Sequence, residues 1–409
     1  MTKSILISGA SVAGPALAWW LHHHGFRTTV VERAPSLREG GYKVDIRGVA
    51  VDVVRRMGLL EQVHAASTDM RGAAFVNKRG KQLATLDADT FGFRHGDDTE
   101  ILRGDLARIL YDATRGDTEY VFGDWITGLD QRPDGVEVTF AHGEPRRFDL
   151  VVGADGLHSG VRALAFGPEE DYLRRFDAYI SISTVPNSFD LDRWELLHSA
   201  APGKMVNVYS TARAADAKAA FWFTAPPLPY DRRDVDGQKA IVADRFAGLG
   251  WEIPALLSAM RSAEDFYFDP VCQIVMDTFS AGRVTLLGDA GYCPSPASGQ
   301  GTSLALAGAY VLAGELASDF SEALPRYEAL MRPFIEKNQA LAKTALRGII
   351  PQSRAFAWFN TRMIKLMPHL PGRNRVLEQM ARPIREAANA LVLKDYRGRR
   401  PTPHDPGRR

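Results

Sequence analysis

The sequence predicts an α/β protein with a Rossmann-like first domain, a second sheet of mixed or antiparallel strands, and a C-terminal helical segment. Three observations support this fold class. The amino terminus has a strand–turn–helix–strand order, two later apolar runs each end in a glycine-rich turn that contains an aspartate, and the chain beyond Leu324 has helical apolar spacing. The 409 residues, 45% hydrophobic and 24% charged, suit a globular protein of two or three domains.

Composition argues against several classes of protein. The net charge is +1, so we expect no global attraction to nucleic acid or to an anionic membrane. Two cysteines, Cys272 and Cys293, cannot form a disulfide framework and suit a reducing cytoplasm. The apolar stretch 5–21 is interrupted by glycines and Pro15, which makes it a poor membrane span. We therefore expect a cytoplasmic monomer or homodimer that binds a small molecule, with no metal, nucleic acid or membrane partner.

The first forty residues carry the pattern of a dinucleotide-binding βαβ unit. An apolar run, 4–8, leads into a turn from Gly9 to Gly14 and then a helix; a β-branched strand follows and ends at Glu32. Gly9 permits the tight turn, and the helix N-terminus offers free N–H groups to a pyrophosphate. Ser11 replaces the usual middle glycine. The alternative is an ordinary turn, and this segment alone does not distinguish NAD from FAD.

Two later motifs also follow apolar runs. The first is GADGLHSGVR at 153–162, and the second is GDAGYCPSPASGQG at 288–301. A glycine-rich turn after a strand is where an α/β sheet binds ligands, and the second turn also opens a helix at Gly301.

In this order and spacing, the three motifs resemble those of the group A FAD-dependent monooxygenases. That family includes p-hydroxybenzoate hydroxylase, polyketide hydroxylases and the tetracycline-inactivating enzymes, and the segment at 40–47 is closest to the tetracycline-inactivating branch. The resemblance covers about residues 1 to 340.

The resemblance implies a set of residue roles. Glu32 would bind the adenosine ribose, Asp289 the ribityl chain, and Asp155 both FAD and NAD(P)H. The implied cofactor-binding residues are Gly9, Ser11, Val12, Ala13, Gly14, Glu32, Arg33, Asp45, Arg103, Asp155, Asp289, Pro296, Gly299, Gln300, Gly301 and Thr302. Tyr292 replaces the family's usual histidine, so we assign the chemistry to the flavin and no catalytic side chain.

The resemblance also implies a domain division. The FAD-binding domain would comprise 1–70, 98–170 and 281–340, and the substrate domain 71–97 and 171–280. Strand-like runs at 179–184, 205–210 and 220–224 and a hairpin at 72–86 fit the second sheet. Candidates for the substrate pocket are Tyr209, Trp222, Phe223 and Pro296, although any of these aromatic residues could belong to the core.

The remaining residues, 341–409, are predicted to be helical, with a mobile tail from Arg397 that contains five arginines. Phe356, Phe359, Met363 and Met367 recur at three- and four-residue spacing, which predicts a buried helix face.

The expected function is also implied by the resemblance. NADPH or NADH would bind transiently and reduce FAD. One atom of O2 would then enter a phenolic, enolic or polycyclic aromatic substrate through a flavin C4a-hydroperoxide, in antibiotic biosynthesis or inactivation. A flavin-dependent reductase or dehydrogenase, or a binding protein that has lost redox chemistry, are the alternatives.

Overall fold

The computed structural model describes residues 2–38, 40–367 and 371–396. The first part of the chain alternates strands and helices: β1 (Ser4–Ser8), α1 (Ala13–His23), β2 (Arg27–Glu32), β3 (Lys43–Ile46), α2 (Val49–Arg56), α3 (Leu60–Ala65), β4 (Gly72–Val76), β5 (Gln82–Asp87), α4 (Ala88–Gly92), β6 (Thr99–Leu102) and α5 (Arg103–Asp112).

The middle part is rich in strands: β7 (Glu119–Phe122), β8 (Ile126–Arg132), β9 (Gly135–Phe140), β10 (Arg146–Phe148), β11 (Leu150–Gly153), α6 (Gly160–Ala165), β12 (Leu173–Val185), β13 (Trp194–Ala201), β14 (Lys204–Ser210), β15 (Ala217–Thr224), α7 (Val235–Phe246), α8 (Ile253–Ser262) and β16 (Phe266–Ile274). The last part is mainly helical: β17 (Ser280–Ala281), β18 (Val284–Leu286), α9 (Asp289–Tyr292), α10 (Gly301–Ser318), α11 (Ala323–Ile349), α12 (Arg354–Leu366) and α13 (Arg373–Ala388).

Two large sheets organise these elements and confirm the predicted fold class. The first has the order β17-β18-β11-β1-β2-β7 and is parallel except at β17. The second has the order β16-β12-β15-β14-β13-β4-β5 and is antiparallel except where β13 pairs with β4. Its β4–β5 hairpin is the one predicted at 72–86. The division of the chain into domains stays a prediction.

The main core lies around the first sheet and two helices. Strand β1 is fully buried, as expected for a central parallel strand covered on both faces. Helix α10 is buried along most of its length and packs between α1 and α11. No helix in the described ranges has the length and apolar character of a bilayer span.

The C-terminal helices correct one prediction. Phe356, Phe359 and Met363 on α12 are exposed, whereas Met367, just beyond the helix, is buried. The spacing identified an apolar face correctly, but α12 packs mainly against β5 and that contact leaves the face uncovered. The tail predicted to be mobile, 397–409, lies outside the described residues.

Candidate functional site

The turn between β1 and α1 is held close to β11 by its glycines. Gly9 has a φ of +108°, and a Cβ atom there would lie 2.5 Å from the carbonyl oxygen of Ala154. A Cβ on Gly14 would lie 1.9 Å from the carbonyl oxygen of Gly9. Both positions therefore need glycine. Val12 and Ala13 are buried and Ser11 half-buried where the helix begins.

The N-termini of α1 and α10 meet near Gly288. A Cβ on Gly288 would contact the Cβ atoms of Ala13 and Ala305 at 3.5 and 3.4 Å. Neither helix has a side-chain cap or an acidic residue in its first turn. Their first N–H groups and the positive ends of both helix dipoles are thus available to an anion.

Glu32 lies at the end of β2, as the motif predicts. Its carboxylate accepts hydrogen bonds from the backbone N–H groups of Ala10 at 2.8 Å and Ala34 at 2.9 Å. The neighbouring Arg33 is exposed, and its guanidinium lies 5.3 Å from the centre of the Trp125 ring. Among the described residues, Glu32 forms no ion pair with Arg33 or Arg27, so its place is set by the turn.

Asp289 and Arg103 are brought together from distant parts of the chain. Arg103 is the first residue of α5 and Asp289 follows β18 through Gly288. Burial raises the pKa of Asp289, and the positive charge of Arg103 opposes this. The pKa of Arg103 is raised by Tyr42 and further by Asp289 and Glu32. Arg103 therefore interacts electrostatically with Asp289, another predicted cofactor residue.

The loop before α10 lies between two acids. A Cβ on Gly299 would lie 3.7 Å from Asp45 Oδ2, and one on Gly301 would lie 3.4 Å from Asp289 Oδ1. Gln300 is fully buried, and neither its Nε2 nor its Oε1 has a hydrogen-bond partner among the described residues. Pro296 and Thr302 are half-buried at either end of the loop.

This environment fits FAD. A ligand edge that carries both donors and acceptors, as the pyrimidine edge of the isoalloxazine does, would satisfy the orphaned Gln300 amide. The buried carboxylate of Asp289 is suited to accept hydrogen bonds from ribityl hydroxyls, and the N-terminus of α1 is suited to a pyrophosphate.

The Asp155 side chain stabilises the turn between β11 and α6 through hydrogen bonds. One carboxylate oxygen accepts a hydrogen bond from the Ser159 hydroxyl, and the other accepts one from the Val161 N–H at 3.1 Å. Burial raises its pKa, and these hydrogen bonds lower it. Its side chain thus caps the start of α6, and a role towards the cofactor stays a prediction.

His158, which no sequence motif singled out as functional, links the two large sheets. His158 Nε2 lies 2.8 Å from Asp269 on β16, and its Nδ1 lies 3.0 Å from Glu169. Burial alone would lower the pKa of His158, but the hydrogen bonds to Asp269 and Glu169 raise it to about 9. Arg162 and Arg232 also bind Glu169, so two carboxylates and three cations share this junction.

A second feature that sequence reasoning missed is a buried ionic network. Lys43 on β3 binds Glu195 at 2.6 Å and lies 3.4 Å from Glu100 on β6. Arg94 binds Glu100 at 2.9 Å and lies 3.4 Å from Asp45. Burial would raise the pKa of Glu100, but Lys43 and Arg94 lower it to about 2. The signal in the sequence was the pair Lys43 and Asp45, which share one face of a strand.

The network reaches the face of the second sheet that lies towards the loop before α10. Asn207 donates to Glu195 at 2.7 Å and accepts from Trp222 Nε1 at 3.1 Å. Trp222 also packs in an apolar cluster that includes Ala297 of the loop. Tyr209 lies on the same face, where the Lys43 ammonium is 4.8 Å from the centre of its ring.

Phe223 is a correction to the list of pocket candidates. Its side chain is fully buried and stacks on Tyr179, with Phe246 of α7 beside it. Neighbouring residues on a strand point to opposite faces, so Phe223 lies on the face of the second sheet opposite to that of Trp222. Trp222, Tyr209 and Pro296 stay pocket candidates.

A cavity of about 470 Å³ opens between α2, residues 89–98 and α13. Arg47 lines it, is only 6% exposed and has no partner for its Nε within the described ranges. Arg47 also binds Asp45 at 2.9 Å. The ion pair between Arg47 and Asp45 therefore lies between the cavity and the loop before α10.

Comparison with known proteins identifies relatives along most of the chain. The family model described as "FAD binding domain" matches residues 2–342. An uncharacterized protein of Mycobacterium tuberculosis strain H37Rv is 48% identical over 354 residues, which is 85% of this chain and 95% of that protein. A flavin-dependent monooxygenase of Legionella longbeachae is 41% identical over 344 residues, covering 83% of this chain and 88% of that one.

Solved structures are also similar to this chain over most of its length. The crystal structure of tetracycline destructase Tet(55) superposes with a TM-score of 0.83 at 39% identity, covering 97% of this chain and 99% of that one. Klebsiella pneumoniae HpxO complexed with FAD and uric acid has a TM-score of 0.73 at 21% identity, covering 93% and 96%, and this similarity concerns the fold alone.

Proposed function

Because this chain belongs to the FAD-binding-domain family and is a flavin-dependent monooxygenase, we propose that it uses NADPH or NADH to insert one oxygen atom into a small molecule. The substrate is a phenol, an enol or a polycyclic aromatic compound of the polyketide kind. The observation that carries the proposal is the loop before α10, where Asp289 and the unpartnered amide of Gln300 lie at an uncapped helix N-terminus and Ala297 packs on the Trp222 face.

We assign FAD binding to the residues that converge there. Gly9 and Gly14 allow the approach of α1, Glu32 faces the adenosine end, and Asp289 faces the ribityl chain. The full set is Gly9, Ser11, Val12, Ala13, Gly14, Glu32, Arg33, Asp45, Arg103, Asp155, Asp289, Pro296, Gly299, Gln300, Gly301 and Thr302. Arg33 and Asp155 are its weakest members, because Trp125 and the start of α6 engage their side chains.

When bound, the cofactor would supply two-electron redox chemistry, in which NAD(P)H and a proton provide the reducing equivalents, one oxygen atom of O2 enters the substrate and the other leaves as water. The tasks left to the protein are positioning and the exclusion of water.

The Trp222 face is suited to both tasks. Trp222, Ile180, Ala297 and Ile350 form one apolar cluster, which keeps water from that side of the loop. The hydrogen bond from Trp222 Nε1 to Asn207 fixes the ring, and the network through Glu195 fixes Asn207 in turn. A planar substrate between this wall and Pro296 would have a defined orientation without a charged side chain in contact with it.

The nicotinamide cofactor would bind transiently. We assign the glycine-rich βαβ unit of β1, α1 and β2 to FAD, which leaves the reductant without a dinucleotide fold of that kind in the described ranges. We therefore expect reduction of the flavin to be slow alone and faster with substrate present, since such gating prevents the wasteful release of peroxide.

The test is to purify the protein, confirm bound flavin from its absorbance, and follow NAD(P)H oxidation with a panel of phenols and polyketides that includes tetracyclines. Mass spectrometry should show a gain of one oxygen atom in a substrate. Anaerobic stopped-flow reduction with and without that substrate tests the gating. Rapid, substrate-independent reduction with no oxygenated product would contradict the proposal and indicate a reductase.

A further inference from the structure

The C-terminal helical arm, defined as α12 (Arg354–Leu366) and α13 (Arg373–Ala388), stands out from the rest of the surface. Helix α12 contains no buried residue, and α13 has only Ala387 and Ala388 buried, at its end. The arm also lies beyond residue 342, where the match to the family model ends. It therefore lies outside the part that we assign to FAD.

The exposed side of the arm is apolar. The described chain has eleven large hydrophobic side chains that are exposed, and seven are on the arm: Phe356, Trp358, Phe359, Met363, Leu366, Val376 and Met380. Trp358 is 67% exposed and Phe359 54%. An apolar patch of this kind on a soluble protein marks an interaction surface.

The C-terminal part of the chain, which contains the arm and the residues around it, is strongly cationic. Residues 351–409 contain 13 Lys or Arg and 4 Asp or Glu, a net charge of +9. Residues 1–350 contain 37 and 45, a net charge of −8. The near-neutral total therefore conceals a separation of charge along the chain. Within α12 the cations are Arg354, Arg362 and Lys365, and the helix has no acidic residue.

We propose that the C-terminal helical arm docks on an anionic lipid surface, with Trp358 and Phe359 in the headgroup region and the cations of α12 against lipid phosphates. A helix that combines aromatic and aliphatic residues with Lys and Arg is the type that lies in a membrane interface, and anionic lipids attract each such cation. This replaces the expectation, drawn from the net charge of the whole chain, that the protein has no affinity for membranes.

Charge distinguishes this partner from two others. A second copy docked through the same face would bring two cationic arms together, which like-charge repulsion disfavours. A nucleic acid would satisfy the cations but would leave the exposed aromatic residues without a partner. A lipid surface engages both sets of side chains.

Vesicle sedimentation with the full chain tests the electrostatic part. We expect the protein to sediment with phosphatidylcholine vesicles that contain phosphatidylglycerol, and far less with phosphatidylcholine alone. Arg354→Gln, Arg362→Gln and Lys365→Gln combined should lower the partition coefficient roughly fivefold per charge removed. The control combines Arg115→Gln, Arg132→Gln and Arg147→Gln, which removes three exposed cations from the acidic body. Equal binding to both vesicle types, or an equal loss in the control, would overturn the proposal.

Tryptophan fluorescence tests the apolar part. Vesicles with phosphatidylglycerol should shift the emission to shorter wavelength, and Trp358→Phe should abolish the shift but keep most of the binding. Phe356→Ser with Phe359→Ser should weaken binding, whereas Leu164→Ser, at an exposed apolar site elsewhere, should not. Loss of all binding when 397–409 are deleted would assign it to the tail instead. If Phe359→Ser converts a dimer to a monomer without lipid, or if DNA competes and the apolar variants bind vesicles normally, the proposal is wrong.

Discussion

Helices α10 and α12 both carry many apolar residues, but α10 is buried and α12 lies on the surface. Fourteen of the eighteen residues of α10 are buried, whereas none of the thirteen residues of α12 is. Apolar spacing predicted a buried face for α12. The spacing of apolar residues identifies which face of a helix is apolar. It does not specify whether other parts of the chain bury that face.

The two helices differ in the size of their apolar residues. Helix α10 is rich in alanine and glycine, and a Cβ on Gly308 would lie 2.2 Å from the Tyr292 hydroxyl. A Cβ on Gly314 would lie 2.2 Å from the ring of Tyr396. Small residues let neighbouring elements approach closely, while the large aromatic residues of α12 project from the surface. Residue size was the signal in the sequence that distinguishes the two.

Leu306→Ala on the buried helix α10 should lower the free energy of unfolding more than any substitution on α12. Leu306 is fully buried on α10, so we expect a loss of about 2 to 5 kcal/mol in the free energy of unfolding. Urea denaturation measures the change. Leu366→Ala on α12 is the matched control, and we expect it to stay within about 0.5 kcal/mol. Equal losses would mean that both helices are covered in solution.

Asp289→Asn tests the cofactor end of α10. We expect FAD affinity to fall about ten- to a hundredfold, because a hydrogen bond to a charged group contributes about 1.5 to 3 kcal/mol. Titration of the apoprotein with FAD measures this change. Asp130→Asn on the exposed surface should leave affinity unchanged. Full flavin occupancy in purified Asp289→Asn would contradict the assignment.

The same variant should have the opposite effect on the apoprotein. Because burial raises the pKa of Asp289 above its ordinary value of 3.8, the ionised form destabilises the fold. Its contribution to stability therefore falls as the pH rises from about 4 through the raised pKa. Asp289→Asn should remove that part of the pH dependence and stabilise the apoprotein at neutral pH, which thermal melts at several pH values would show.

The sequence predicted best those features whose conformation is fixed by residues close to them in the chain or on the adjacent strand. Gly9 and Gly14 are fixed by atoms within a few residues or on the adjacent strand, so a short motif predicted the turn and its strands correctly. The Lys43–Glu195 and His158–Asp269 pairs join residues more than a hundred positions apart. A local sequence pattern does not specify such a distant partner. The pairing depends on how the sheets that carry the two residues are placed relative to each other.

His158→Gln should have a smaller effect. Since the pKa of His158 is raised from 6.5 to about 9, its contribution to stability is complete below about pH 6.5 and is lost as the pH rises through about 9. Partial exposure limits the contribution to about 1 kcal/mol. Melting temperatures from pH 6 to 10 should fall for the parent protein and change less for the variant; parallel curves would show that the junction with Asp269 does not depend on this charge.

Phe359→Ala on α12 should have the smallest effect, and it tests the comparison most directly. Removal of a buried phenylalanine side chain costs about 3 to 5 kcal/mol, yet Phe359 is 54% exposed, so we expect a change within about 0.5 kcal/mol. Denaturation should be repeated at several protein concentrations. A cost above about 2 kcal/mol that grows with concentration would mean that a second copy covers α12, because only an associating system links stability to concentration. A small cost independent of concentration would mean that α12 keeps its apolar face uncovered in the free protein and that any partner must come from outside the chain.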